Sequence, residues 1–129
     1  MGDMNAIVVE FVEEGREKAD LIERDLIQLE KDPSSRELLT EVFRATHTIK
    51  GATSFLGFTK LCALAHTGES LLVPLRDGKM KINQEIISAL LSLVDAIREM
   101  LADIAATGQE GSRDYTGLIN TLAQLQKAL

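Results

Sequence analysis

His47, Lys50 and Gly51 fall within about one helical turn of each other. They lie in the segment Phe43-Arg44-Ala45-Thr46-His47-Thr48-Ile49-Lys50-Gly51-Ala52-Thr53-Ser54-Phe55-Leu56-Gly57-Phe58. An apolar stripe at helical spacing runs through Val42, Thr46, Ile49 and Thr53. His47 follows Thr46 by one residue, about 100° around a helix axis, so its imidazole stands at the edge of a buried face. Lys50 and Gly51 lie one turn above it on the same surface. Neutral imidazole is a competent nucleophile near neutral pH. An adjacent ammonium can neutralise phosphoryl oxygens. A glycine in a helix interior costs roughly 1 kcal/mol against alanine, and here it leaves bare backbone and room for a docking surface. The combination suits a phosphoryl group, although the residues alone favour a surface histidine beside a solvated lysine.

Other chemistry-bearing residues are few. His66 and Glu69 stand at helical i, i+3 spacing, and with His47 they are the obvious metal candidates. Di-iron bundles, however, use four carboxylates and two Glu-x-x-His pairs, whereas this chain offers the reversed order, His66-x-x-Glu69, once. No metal site is expected. The single cysteine, Cys62, lies in the apolar run Leu61-Cys62-Ala63-Leu64 and reads as buried packing in a reducing setting. No glycine-rich phosphate loop, nucleotide-binding motif or catalytic triad is readable, so the segment is not expected to be an enzyme by itself.

The 129 residues suit one domain, residues 1–129, with a hydrophobic content of 45% and charged residues at 26%, the balance of a folded globular chain. The net charge of −6 argues against nucleic acid, whose phosphates demand a basic face. No apolar run approaches the roughly 20 residues needed to cross a bilayer. The start, Met-Gly-Asp-Met-Asn-Ala, has neither the pattern of a secretory signal nor that of a myristoylated terminus.

The elements that must position His47 all read as helices, for prolines stand only at 33 and 74 and apolar residues recur at helical spacing. A first helix, about residues 4 to 31, carries Met4, Ile7, Val8, Phe11, Gly15, Ala19, Ile22, Leu26 and Leu29 on one stripe. Asp32-Pro33-Ser34 breaks the chain, and Ser34 with Glu37 forms a capping box for a second helix, which buries Leu38, Leu39, Val42 and Phe43 and ends at Gly57. Thr59 is expected to cap a third, with Phe58 as its hydrophobic staple, running to Asp77-Gly78. Pro74 inside it should kink or end it, and Gly68 should loosen it. Asn83 caps a fourth helix closed by Gly108. A shorter fifth begins near Ser112 and carries Tyr115, Leu118, Ile119, Leu122, Leu125 and Leu129. The expected fold is all-α, an antiparallel up-and-down four-helix bundle with an additional C-terminal fifth helix.

The pattern His-Thr-Ile-Lys-Gly-Ala-(four residues)-Gly-Phe resembles the signature of histidine-phosphotransfer domains. Phe43-Arg44-Ala45, Ala65-His66-Thr67-Gly68-Glu69-Ser70-Leu71-Leu72, Leu75-Arg76-Asp77-Gly78-Lys79-Met80 and the last helix extend the likeness across the chain, to the N-terminal phosphotransfer domain of CheA-type chemotaxis kinases. The resemblance implies that His47 is the phosphorylated histidine, modified on Nε2, and that Lys50 assists the phosphoryl group. It implies that Glu69 hydrogen-bonds the other ring nitrogen and that His66 is a second, unphosphorylated histidine. Gly51 and Ser54 would belong to the partner-docking surface. It further implies a monomeric cytoplasmic domain without a cofactor of its own, phosphorylated by a kinase domain that binds ATP and magnesium elsewhere. The phosphoryl group would pass to an aspartate of a response-regulator receiver domain. A stand-alone phosphorelay protein with the same chemistry is the alternative. Whether the protein continues past Leu129 is open.

Overall fold

The structure, a computed structural model, describes residues 5–128. Five helices follow one another: α1 (Ala6–Lys31), α2 (Arg36–Leu56), α3 (Thr59–Arg76), α4 (Gln84–Thr107) and α5 (Thr116–Lys127). Helix α1 packs on α2, α2 on α3, α3 on α4 and α4 back on α1, while the backbones of the diagonal pairs stay apart among the described residues. Short connections make these neighbours antiparallel and close the ring into the expected up-and-down bundle. Helix α5 lies across α3 and α4, holding on through buried Leu122. No described helix is long and apolar enough to cross a membrane.

Several ends are set by local chemistry as expected. Asn83 accepts the Ile86 amide at 2.8 Å, and Gly57 and Gly108 close their helices at φ +82° and +81°, a conformation glycine adopts without Cβ strain. Other ends differ. The cap of α2 is Ser35, not Ser34: its hydroxyl accepts the Leu38 amide at 3.2 Å. Thr59 does not cap α3, which has no cap from its own neighbourhood. Instead Glu110, from the loop after α4, accepts the Lys60 and Leu61 amides at 2.8 and 3.3 Å. Helix α5 starts at Thr116, later than Ser112, because Asp114 turns the chain by accepting the Thr116 amide at 2.9 Å. Tyr115 therefore precedes the helix and reaches Glu99 instead, at 2.9 Å.

Helix α3 runs through Pro74 to Arg76. Proline cannot serve the Ser70 carbonyl, but it lies two residues from the helix end, where its own carbonyl accepts the Lys79 amide at 2.9 Å. Gly68 does not loosen the helix; it lets α3 approach α4 closely, since a Cβ there would collide with Leu93. Gly15 does likewise against Leu101, where a Cβ would stand 3.0 Å from its methyl groups. Cys62 is half-buried, not buried, and Ile7 is exposed, while Val8 beside it packs against the core. Leu38, Phe43 and Leu56 are partly buried against the core. Met4 and Leu129 lie outside the described residues.

Candidate functional site

Helix α2 presents His47 from its middle, and antiparallel α3 places Glu69 opposite it. Thr46 turns its hydroxyl into its own helix, onto the Val42 carbonyl at 2.9 Å, and Ile49 is buried. Those two residues fix the buried face of α2, so His47 must stand at its edge, and its side chain is 60% exposed. Glu69 is buried at 8%. Its Oε2 accepts a hydrogen bond from Nδ1 of His47, and its Oε1 accepts one from Nζ of Lys50 at 2.6 Å. Both carboxylate oxygens are therefore engaged.

Electrostatics agree with that geometry. Burial pushes the Glu69 carboxyl up, but hydrogen bonds from Lys50 and His47 outweigh it and hold the group below its ordinary value of 4.5. An ionised Glu69 places the neutral ring's proton on Nδ1 and leaves the Nε2 lone pair facing outward, as carboxylates do for metal-ligating imidazoles.

The structure thus brings together His47, Lys50 and Glu69. Gly51 and Ser54 are exposed farther along α2, and nothing lies within 4 Å of where a Gly51 side chain would begin. Phe55, on the same surface, is 82% exposed. His66 is exposed on α3, and among the described residues its ring makes no hydrogen bond to the other three. Two features escaped the sequence reading. Lys50 is tied to Glu69 as well as neighbouring the imidazole, a pairing that only the register of α3 against α2 reveals. Phe43 does not simply turn inward: its ring stacks on His47, with centroids 5.9 Å apart and planes 14° from parallel. The i−4 spacing was its signal. The guanidinium of Arg76 lies 4.3 Å from the centre of that phenyl ring.

A ring of antiparallel helices that displays one imidazole from the middle of a helix, backed by a buried carboxylate of the next, defines the class of helical phosphotransfer bundles. The Hpt domain family profile matches residues 6–107, and the chain belongs to that family. It is similar to the chemotaxis protein CheA of Borreliella burgdorferi, 36% identical over 88% of this chain and 13% of that protein. It is also similar to the sensor histidine kinase CheAY of Helicobacter pylori, 36% identical over 85% of this chain and 14% of that one. The chain therefore spans about one seventh of these relatives. Among solved structures, the phosphorylated P1 domain of CheA3 in complex with CheY6 from R. sphaeroides superposes with a TM-score of 0.87 at 28% identity, covering 97% of this chain and 98% of that one. The CheA phosphotransferase domain of Thermotoga maritima gives 0.74 at 33% identity, over 78% and 98%.

Proposed function

We propose that this chain is the phosphotransfer domain of a cytoplasmic chemotaxis-type two-component system, with His47 as its phosphoryl carrier. The observation that carries the reading is the hydrogen bond from Nδ1 of His47 to buried Glu69 on a ring otherwise open to solvent. Nε2 attacks the γ-phosphorus of ATP held with magnesium by a kinase ATP-binding domain. A nitrogen–phosphorus bond forms, the bond to the bridging oxygen breaks and ADP leaves. The ring, still protonated at Nδ1, becomes cationic, and Glu69 stabilises that charge. Lys50 offers a cation within reach of the phosphoryl oxygens. An aspartate carboxylate of a receiver domain then attacks the phosphorus, the nitrogen–phosphorus bond breaks and neutral imidazole is restored. Gly51 and Ser54, one and two turns from the imidazole, belong to the surface on which the monomeric domain meets these partners.

Relatives that are chemotaxis kinases, and a structural neighbour complexed with CheY6, favour this reading over a stand-alone phosphorelay protein. In the test, the domain is incubated with ATP and the kinase core of its own system. It should gain one phosphoryl group, labile in acid and stable in base, and His47→Gln should abolish this with the helical circular dichroism unchanged. Label persisting in that variant, or residing on His66, would overturn the assignment.

A further inference from the structure

We propose that Phe43 and Arg76 are positioning residues for His47, a stacked platform that fixes the plane of the imidazole; the inference rests on His47 being the reacting group. The Glu69 hydrogen bond restrains the ring at one edge only. A ring held at one nitrogen still swings about that bond, and the swing moves Nε2, the atom on which an incoming phosphorus must be aligned. Transfer is steeply sensitive to such misplacement.

Phe43 supplies the missing restraint. It stands one turn before His47 and is packed against the core, while the imidazole itself is mostly exposed. The near-parallel stack therefore sets a mobile ring against an anchored one. A face contact and an edge contact together leave one orientation, with Nε2 directed outward.

Phe43 is held in turn. Arg76, from the last turn of α3, lies over its ring at cation–π distance. Its Nε donates to Asp77 Oδ1 at 3.0 Å, which tethers the guanidinium at the end of α3. The Asp77 carboxyl is held below its ordinary range by that hydrogen bond, with Lys79 and Arg36 adding their charge. Helix α3 thus touches His47 once, through Glu69 at the ring edge, and braces it indirectly through Arg76 behind the Phe43 platform. The platform also suits the product, because a phenyl face favours the cationic ring that phosphorylation creates.

The test uses Phe43→Leu, which keeps apolar volume without a flat face, Phe43→Tyr, which keeps the face, and Arg76→Gln. Ring order and tautomer of His47 are read by nitrogen-15 NMR on the chain alone. Phosphorylation kinetics are read with ATP and the kinase core. Phe43→Leu should lower ring order and reduce kcat three- to tenfold at unchanged KM; Phe43→Tyr should restore both, and Arg76→Gln should give a smaller loss of the same kind. Circular dichroism screens for misfolding, with Phe43→Met standing in if the leucine variant is destabilised. Parent ring order and parent kcat in Phe43→Leu would overturn the proposal, as would a loss confined to KM, which marks a docking contact. Failure of the parent to take a phosphoryl group on His47 would instead refute the phosphotransfer reading, and the NMR comparison would still judge the platform.

Discussion

Asp25 offers the sharpest quantitative test of how the bundle is held together. It is 1% exposed on α1, its Oδ2 has no hydrogen-bond partner, and its other oxygen has only a long contact to Arg24 at 3.5 Å. Burial, reinforced by the nearby Glu41 carboxyl, pushes its pKa from 3.8 up to about 6. The folded state therefore binds more protons than the unfolded one across that window, and stability falls as pH rises through it. At about 1.4 kcal/mol per unit the full effect is about 3 kcal/mol, an upper bound because solvent screens the half-exposed Glu41 charge that contributes to it. Asp25→Asn removes the titration and leaves an amide whose own cost does not vary with pH. The stability difference between variant and parent should then move in the variant's favour by up to about 2 kcal/mol between pH 4 and pH 7, roughly 8 °C in Tm for a chain of this size. Urea or thermal unfolding at several pH values measures it, and the slope, not the offset, is diagnostic. Parallel stability curves for the two proteins would refute the account.

Glu69→Gln should slow phosphorylation about 10- to 100-fold, by analogy with carboxylates that orient metal-bound imidazoles, and shift His47 toward a mixed tautomer; an unchanged rate would detach Glu69 from the chemistry. Glu110→Ala should cost about 1 kcal/mol in thermal melts, the value of a lost N-cap, whereas Thr59→Ala should stay within about 0.5 kcal/mol. Equal effects would contradict the long-range cap. Gly51→Leu should raise Tm, because a glycine leaves the helix and the space is open, yet reduce transfer to the receiver domain more than tenfold; a variant both stabilised and fully active would remove Gly51 from the docking surface.

What the sequence discloses and what it hides divide by the range of the interaction. Asn83, Gly57 and Gly108 act within one turn, so their side chains or missing Cβ atoms announce the helix ends directly. Ser34 and Ser35 are adjacent and chemically alike, and a capping-box pattern alone cannot place the first helical turn to one residue. The Glu110 cap was out of reach because donor and acceptor lie 49 and 50 residues apart and meet only after α4 folds back along α3. Pro74 misled because the penalty for an interior proline presumes that helix continues well beyond it. At the site, the edge position of His47 followed from the stripe on α2 alone. Glu69 was reached through resemblance, and its second bond, to Lys50, depended on how α3 registers against α2.

Among the described residues the bundle buries two carboxylates and treats them oppositely, and the contrast explains why the site is built as it is. Asp25 meets one distant guanidinium and an acidic neighbour, so burial wins and its pKa rises. Glu69 is nearly as buried, yet an ammonium and an imidazole occupy its two oxygens and its pKa falls. The sign reverses accordingly: the stability Glu69 contributes is complete above its ordinary value of 4.5 and is lost as pH falls through the lower folded value. At neutral pH Glu69 is therefore ionised and fixes the imidazole tautomer, while Asp25 exacts its full cost. Lys50 is what separates the two cases. Without it, Glu69 would depend on the imidazole alone against the same burial, and the anion that directs Nε2 outward would weaken. Its ammonium, on Glu69 Oε1 at 2.6 Å, is thus what keeps the buried carboxylate charged beside the imidazole.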